Sequence, residues 1–272
     1  MKKIILTVMI LVTAGTAAVS VKNFVLQKNE TKTEYAIPKK LSKARKKQSS
    51  RPMQRHIDKR KKLIAFSFDD GPAKENTDRV VKALLKNHAR ATFFMLGQNA
   101  KYYPELVKEV KDSGNEVAGH SWNHPQLTKL GPEGVRLQMR KMNRAISKVT
   151  GYDVGLLRPP YGSVDHVVKK NINAPLILWS IDTLDWKTRN TDATVNTILK
   201  QAKDGDIILM HDIHKPSVAA AEKVLPLLKA RGYEICTVSE LLKAKGIKVK
   251  KGDVVVSASQ IYRNNKRMHQ KV

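Results

Sequence analysis

From residue 63 onward the sequence alternates short apolar segments with amphipathic ones, and this alternation limits the chain to one fold class. The apolar segments are "LIAFSF", "ATFFML", "NEVAG", "GLL", "LILWSI", "DIILM" and "YEICTV". Between them lie helical patterns such as "NTDRVVKALLKNH", "PELVKEVKDSG", "GPEGVRLQMRKMNRAISKVTG" and "PSVAAAEKVLPLLKARG". Repeated strand–helix units predict an α/β fold with a parallel sheet covered by helices. Seven candidate strands favour a barrel that is slightly short of the usual eight strands.

The flanks of this region differ from it in composition. The chain has 272 residues, enough for one sizeable core, which we place at 63–245. Residues 1–21 join two lysines to an apolar run, a pattern typical of a signal peptide or of a retained membrane anchor. Residues 22–62 are rich in Lys and Arg and predict a disordered basic linker. Residues 246–272 predict a basic C-terminal tail.

The positive charge lies mostly in these flanks. The formal net charge is +27, which points to a polyanionic neighbour, either nucleic acid or an acidic cell surface. Because the central region carries little of the excess, the charge says little about chemistry there. The single cysteine, Cys236, excludes an intrachain disulfide and a four-thiolate metal site, and we interpret it as a buried strand thiol.

Polar side chains follow five of the predicted strands. These residues are Asp69 and Asp70, His120 and His124, Arg158, Asp182 and Asp185, and His211 and Asp212. Each pattern alone has an ordinary explanation, since Asp-Gly is a common turn and paired histidines often face solvent. The carboxyl ends of parallel strands, however, meet at one rim, where active sites are built. We therefore expect these groups to share one site.

The residue types favour a metal-dependent hydrolase. His120 and His124 can present two imidazole nitrogens to one cation if their segment forms a single helical turn. One aspartate of the Asp69–Asp70 pair would complete a two-His, one-Asp site with a position left for water. The other aspartate would then lie beside that water as a general base.

With these residues assembled, the chain resembles the polysaccharide deacetylases of the NodB-homology group, carbohydrate esterase family four. The resemblance covers roughly residues 63–245 and rests on five blocks in family order: "FSFDDGP", "HSWNHP", "RPPYG", "DTLDW" and "LMHD". The sequence is most similar to the peptidoglycan N-acetylglucosamine deacetylases of Gram-positive bacteria. The resemblance implies a NodB-like fold, a distorted seven-stranded (β/α) barrel.

The resemblance also implies roles for the aspartates, histidines and arginine of the first three blocks. Asp69 would be the catalytic base, and Asp70, His120 and His124 would be the metal ligands. Arg158 would pair with Asp69 and set its position and basicity. The cation is expected to be Zn²⁺, with Co²⁺, Ni²⁺ and Mn²⁺ as alternatives.

The last two blocks, together with Tyr161 of the third block, would supply the acid and the substrate contacts. His211 would be the general acid, and Asp182 would hydrogen-bond it. The backbone N–H of Tyr161 would bind the oxyanion, while Leu209 and Trp186 would shape an apolar slot for the acetyl methyl group. His214 receives no role.

The expected reaction is the removal of N-acetyl groups from N-acetylglucosamine residues of a cell-envelope polysaccharide, with peptidoglycan favoured by the exported, basic design. The five blocks leave open chitin oligomers, poly-N-acetylglucosamine and O-acetyl xylan as substrates. A non-enzymatic basic protein that binds polyanions is the alternative from a different class. The export segment argues against nucleic acid and predicts a location at the extracellular face of the cytoplasmic membrane, in the cell wall or secreted. We expect a monomer whose linker contacts anionic lipid or wall polymers.

Overall fold

The computed structural model describes residue 55 and residues 57–262. The predicted export or anchor segment at 1–21 lies outside the described residues, as do most of the predicted linker at 22–62 and residues 263–272 of the predicted tail. Among the residues that are described, no helix is both long and apolar enough to cross a membrane.

Short strands alternate with helices along the described chain, as the sequence predicts. The strands are β1 (Lys62–Asp69), β2 (Thr92–Met95), β3 (Glu116–Gly119), β4 (Leu176–Ile177), β5 (Ile181–Asp182), β6 (Ile207–His211), β7 (Tyr233–Cys236), β8 (Val254–Val255) and β9 (Ile261–Tyr262). The α-helices are α1 (Thr77–Lys86), α2 (Gly97–Tyr102), α3 (Pro104–Asp112), α4 (Pro132–Thr150), α5 (His166–Asn171), α6 (Asp185–Thr188), α7 (Thr191–Gln201), α8 (Lys215–Ala230) and α9 (Val238–Ala244). Two 3₁₀ helices lie at Leu127–Lys129 and Pro160–Gly162.

A parallel sheet centred on β1 positions the site. Across the described residues this sheet has six strands, in the order β3-β2-β1-β6-β5, and β7 also pairs with β1. Ile64, Phe66 and Phe68 of β1 pack into one hydrophobic core, while Leu63 and Ala65 pack into a second. Because successive side chains of a strand point to opposite faces, both faces of β1 are covered, and its sequence from Leu63 to Phe68 is therefore apolar except at Ser67.

The strand ladders show a parallel α/β fold but do not show the expected closed barrel. The described strands divide into the six-stranded sheet and a three-stranded sheet, β4-β8-β9. Leu157 of the predicted "GLL" strand connects β3 to β4 by isolated bridges only. The predicted "LILWSI" strand forms two short strands, because its pairing partner changes along its length. The Leu178 amide donates to the Val255 carbonyl next to β4, whereas the Ser180 amide donates to the Ile207 carbonyl of β6.

The folded region extends beyond both predicted boundaries of 63–245. Val254 and Val255 are fully buried and pair with β4, and β9 pairs with β8, so the predicted tail contributes two strands to the body of the protein. On the other side, Ile57 is buried, and the Arg55 guanidinium donates a hydrogen bond of 2.5 Å to the Ile235 carbonyl. The limits of the fold are therefore set by which apolar residues are buried. The Lys and Arg content of the flanks does not reveal this.

Candidate active site

The carboxyl ends of β1, β3, β5 and β6 bring the predicted polar residues together. Asp69 ends β1 and is the register partner of His211, which ends the adjacent β6. His120 directly follows β3, and its amide donates to the Met95 carbonyl at the end of β2. Arg158 follows the bridging residue Leu157, and its amide donates to the Gly119 carbonyl at the end of β3. The parallel sheet therefore gathers side chains that are far apart in sequence.

Asp70, His120 and His124 form a compact set of possible metal ligands. One ligand atom from each lies within 4.8 Å of the other two. Asp70 Oδ1 is 3.5 Å from His120 Nε2 and 3.5 Å from His124 Nε2. Three nitrogen and oxygen donors converging on one point match the donor set of a catalytic zinc-type site.

The two histidines converge without the helical turn that the sequence analysis required. Their ring centroids are 5.1 Å apart, yet the segment between them is not helical. Instead, Ser121 and His124 have φ angles of 87° and 64°, in the left-handed region. The chain therefore reverses direction locally, which brings the His124 ring close to the His120 ring. The Ser121 hydroxyl accepts a hydrogen bond of 3.0 Å from the His124 amide.

Hydrogen bonding and burial orient His120 as a neutral ligand. His120 Nδ1 is 2.7 Å from the Arg158 carbonyl oxygen, an acceptor, so this nitrogen carries the proton and Nε2 presents its lone pair to Asp70. Burial lowers the pKa of His120 to about 3, because the charged imidazolium is poorly solvated there. A neutral imidazole is the form that binds a cation.

Asp70 shows that a cation fits this site. Its Oδ1 is buried and has no hydrogen-bond partner among the described residues. A buried, unpaired carboxylate oxygen is costly, and a bound cation would satisfy it. Asp70 also has a φ of 71°, unusual for a residue with a side chain. The Asn99 side-chain amide holds this conformation by donating 2.7 Å to the Asp70 carbonyl.

Asp69 lies beside this cluster and is paired with a buried guanidinium. Arg158 Nη1 donates to Asp69 Oδ1 at 2.7 Å, and Asp69 Oδ2 is 3.7 Å from His120 Nε2. Arg158 is fully buried, packs over the Phe94 ring and donates to the Ile177 and Leu178 carbonyls. Burial raises the pKa of Asp69 above its usual range, although the charge of Arg158 acts in the opposite direction.

The carboxylate that holds His211 is Asp185, and the predicted pairing with Asp182 is wrong. Asp185 Oδ1 is 2.9 Å from His211 Nδ1, and Asp185 Oδ2 accepts 2.8 Å from the His211 amide. Asp182, at the end of β5, instead accepts from the Leu184 amide at 2.9 Å. Leu184 has a left-handed φ of 54°, which turns the chain so that Asp185 enters the site.

Asp185 keeps His211 protonated. Burial by itself lowers the pKa of His211, but the hydrogen bond and charge of Asp185, together with the charges of Asp69 and Asp70, raise it to about 9. In the same pairing, burial would raise the pKa of Asp185, but its contacts with His211 bring it below the usual range. At neutral pH the pair is therefore an imidazolium and a carboxylate.

The three predicted substrate-binding residues lie on the surrounding segments. Tyr161 has a φ of 60°, and its ring packs edge-on against His124 with centroids 4.6 Å apart. Leu209 is buried on β6 on the same face as His211, two residues away. Trp186 follows Asp185 and is 45% exposed. The unassigned His214 ring lies 6.3 Å from the His211 ring.

The chain is similar in sequence to known polysaccharide deacetylases. Residues 56–174 match the family model for polysaccharide deacetylase. Over 187 residues the chain is 44% identical to the peptidoglycan-N-acetylglucosamine deacetylase PgdA of Listeria monocytogenes, a match covering 69% of this chain and 40% of that protein. The chain therefore spans less than half the length of this relative.

Two solved structures share the fold. The peptidoglycan deacetylase PdaC of Bacillus subtilis superposes with a TM-score of 0.69 at 39% identity, covering 70% of this chain and 94% of that one. A family 4 acetyl xylan esterase from Clostridium thermocellum, in complex with a cobalt ion, has a TM-score of 0.70 at 28% identity and covers 73% of this chain and 100% of that one.

Proposed function

Because this chain belongs to the polysaccharide deacetylase family, we propose that it hydrolyses the N-acetyl groups of N-acetylglucosamine residues in peptidoglycan. One observation carries the proposal: a three-donor cluster lies beside both a buried carboxylate, Asp69, and an imidazole, His211, that is held by a second carboxylate. Amide hydrolysis needs these groups, because water must lose a proton and the departing nitrogen must gain one.

Asp70, His120 and His124 would hold a divalent cation in this proposal. When bound, the cation supplies a Lewis acid that lowers the pKa of water and polarises a carbonyl oxygen. The unpaired Asp70 Oδ1 supports the assignment within this chain. We propose Zn²⁺, with Co²⁺, Ni²⁺ and Mn²⁺ as alternatives; the cobalt ion of the Clostridium structure is consistent with such a site.

Asp69 acts as the general base. The Arg158 guanidinium occupies Asp69 Oδ1 and thereby leaves Oδ2, on the side of His120, to accept the proton of the attacking water. The raised pKa of Asp69 makes it a stronger base than an ordinary aspartate. Proton transfer by a positioned side chain typically contributes ~10²–10⁴-fold to the rate.

His211 acts as the general acid. The N–H at Nδ1 of His211 donates a hydrogen bond to Asp185. The proton on Nε2 is therefore the one transferred to the amide nitrogen as the carbon–nitrogen bond breaks. The products are acetate and a free glucosamine amine. The Tyr161 backbone N–H would stabilise the oxyanion, and Leu209 and Trp186 would contact the acetyl methyl group.

Replacing Asp185 with asparagine should move the basic limb of the pH–rate profile to lower pH. The Asp185 charge and hydrogen bond raise the pKa of His211, whereas burial lowers it. Without that carboxylate the imidazole loses its proton at a lower pH, so the active, protonated fraction falls earlier as pH rises. The measurement is kcat/KM for acetate release against pH.

Asp182→Asn is the matched control for this experiment, since it makes the same change three residues earlier. Its carboxylate bonds the Leu184 amide rather than His211. The basic limb should therefore stay where it is in the wild type. A shift in the Asp182 variant without a shift in the Asp185 variant would reverse the assignment of the His211 partner.

The substrate assignment is tested by one comparison. The purified full chain, supplied with Zn²⁺ or Co²⁺, is incubated in parallel with peptidoglycan, chitooligosaccharides and acetylxylan, and released acetate is measured. The proposal expects the highest kcat/KM on peptidoglycan. Preferential release from chitooligosaccharides or acetylxylan would retain the deacetylase chemistry and change the substrate, while no release from any of the three would reject the enzyme.

We also propose that the protein works outside the cytoplasmic membrane. The apolar run at 1–21 favours export, and the basic residues of 22–62 favour attraction to anionic lipid headgroups or wall polymers. The expected result is salt-sensitive retention in the cell envelope, which weakens when residues 22–54 are deleted. Equal retention of the deletion variant at every salt concentration would exclude this role of the basic segment.

A further inference from the structure

Asp212 is a fully buried carboxylate next to the general acid, and the mechanism above does not use it. One oxygen, Oδ2, accepts a hydrogen bond of 2.5 Å from the Thr77 hydroxyl. The other oxygen, Oδ1, has no partner among the described residues. Because burying a carboxylate is costly, its position needs an explanation beyond space filling.

The Asp212 carboxylate lies directly against the turn that carries the metal-ligand candidate Asp70. A Cβ added to Gly71 would be 2.4 Å from Asp212 Oδ1, 2.5 Å from Oδ2 and 2.8 Å from Cγ. Such distances are shorter than any contact that real Cβ atoms make, so the carboxylate occupies the space behind Gly71 completely. Gly71 does not have a positive φ, so the obstacle to a side chain there is the Asp212 carboxylate, which supplies the three nearest atoms.

Asp212 also fixes the segment that follows the turn. The Thr77 hydroxyl, which donates to Asp212, accepts a hydrogen bond of 2.8 Å from the Ala73 amide. On the opposite end of the turn, the Leu96 amide donates 3.0 Å to the Gly71 carbonyl. The turn is therefore held from two sides, by β2 through Leu96 and by β6 through Asp212.

We propose that Asp212 is a positioning residue that holds the Asp70–Gly71 turn from behind and thereby sets the affinity of the cation site. The inference rests on the proposed function of Asp70, His120 and His124 as ligands. Asp70 needs such support, because its left-handed φ of 71° is unfavourable unless the surroundings impose it. Asp212 is not one of the three ligand candidates, and it acts through its contacts with Gly71 and Thr77.

A double-mutant cycle between Gly71 and Asp212 tests this role. Gly71→Ala, Asp212→Ala and the double variant are purified as full chains, and the Kd for Co²⁺ is measured by optical titration without substrate. We expect each single change to weaken binding by about 10–100-fold, the range for residues that support metal ligands. The double variant should bind more tightly than Gly71→Ala alone, because Asp212→Ala removes the three atoms that lie nearest to the new methyl group.

Two controls separate positioning from general stability. Gly155→Ala adds a methyl group where no atom lies within 4 Å, and it should leave the Co²⁺ Kd unchanged. Thr77→Val removes the hydroxyl that donates a hydrogen bond to Asp212, and it should weaken Co²⁺ binding. Thr150→Val removes a buried hydroxyl that donates to the Ile146 carbonyl, and it should leave Co²⁺ binding unchanged. If Asp212→Ala fails to fold, the comparison of Thr77→Val with Thr150→Val still tests the proposal.

The outcomes distinguish this inference from the proposed function. Wild-type Co²⁺ affinity in Asp212→Ala and Thr77→Val, with only a lower midpoint of thermal unfolding, would overturn the positioning role and leave the deacetylase proposal intact. Fully multiplicative effects in the double variant would also overturn it. No Co²⁺ binding by the wild-type chain would instead reject the cation site itself.

Discussion

Asp69→Asn is expected to reduce acetate release by at least ~10²–10⁴-fold while the chain still binds Co²⁺. Asparagine has nearly the shape of aspartate but cannot accept the proton of the attacking water. The three ligand candidates are unchanged, since Asp69 is not one of the three clustered donors. The measurements are initial rates of acetate release and a Co²⁺ titration of the same preparation.

Binding must be measured with the rate, because the substitution leaves Arg158 buried without an anion. Breaking a buried ion pair typically costs ~3–5 kcal/mol of stability. An inactive variant that retains Co²⁺ affinity identifies a chemical defect, whereas loss of both identifies misfolding. Asp165→Asn, which changes the N-terminal cap of α5, serves as a matched control and should retain turnover. Wild-type rates in Asp69→Asn would refute its role as the base.

His120→Ala is expected to abolish both cation binding and turnover. It removes one of three donors and, in addition, the contact with the Arg158 carbonyl. Removing a residue that merely supports a ligand costs ~10–100-fold in metal affinity, so loss of the ligand itself should exceed that range. The readout is the Co²⁺ Kd together with acetate release at saturating Co²⁺.

His166→Ala is the matched control, because His166 is an exposed histidine on the first turn of α5. This variant should bind Co²⁺ and release acetate as the wild type does. Full Co²⁺ affinity in His120→Ala would contradict the ligand assignment. Lost binding with undiminished turnover would remove the cation from the proposed reaction while leaving the geometry of the cluster unexplained.

Much of the architecture could be predicted from the sequence because burial dictates it locally. The apolar segments that became β1, β2, β3, β6 and β7 are confirmed. The "LILWSI" segment was predicted as one strand, and its division into β4 and β5 depends on pairing with β8 and β6, which is non-local. Strands β8 and β9 lie in the segment that the sequence predicts as a tail, because strands of two residues are too short to give a periodic signal.

The site shows the same division between local and non-local information. That Asp, His and Arg follow the strand ends is a property of the sequence, and the fold brings these residues together as expected. Which carboxylate of "DTLDW" bonds His211 depends on the left-handed turn at Leu184, for which leucine gives no signal. Asn99, which holds the Asp70 carbonyl, was also missed, because an asparagine inside a short helix has no distinguishing pattern.

The uneven pairing of the strands has a consequence for how the molecule opens. β1 shares ladders with β2, β6 and β7, whereas β5 is two residues long and pairs with β6 alone. Local fluctuations expose backbone amides most readily where few such bonds must break. Amides around Asp185 should therefore exchange with deuterium sooner than those around Asp69. Partial opening would then move the Asp185 carboxylate away from the proton donor His211, while the aspartate pair at the end of β1 keeps its place.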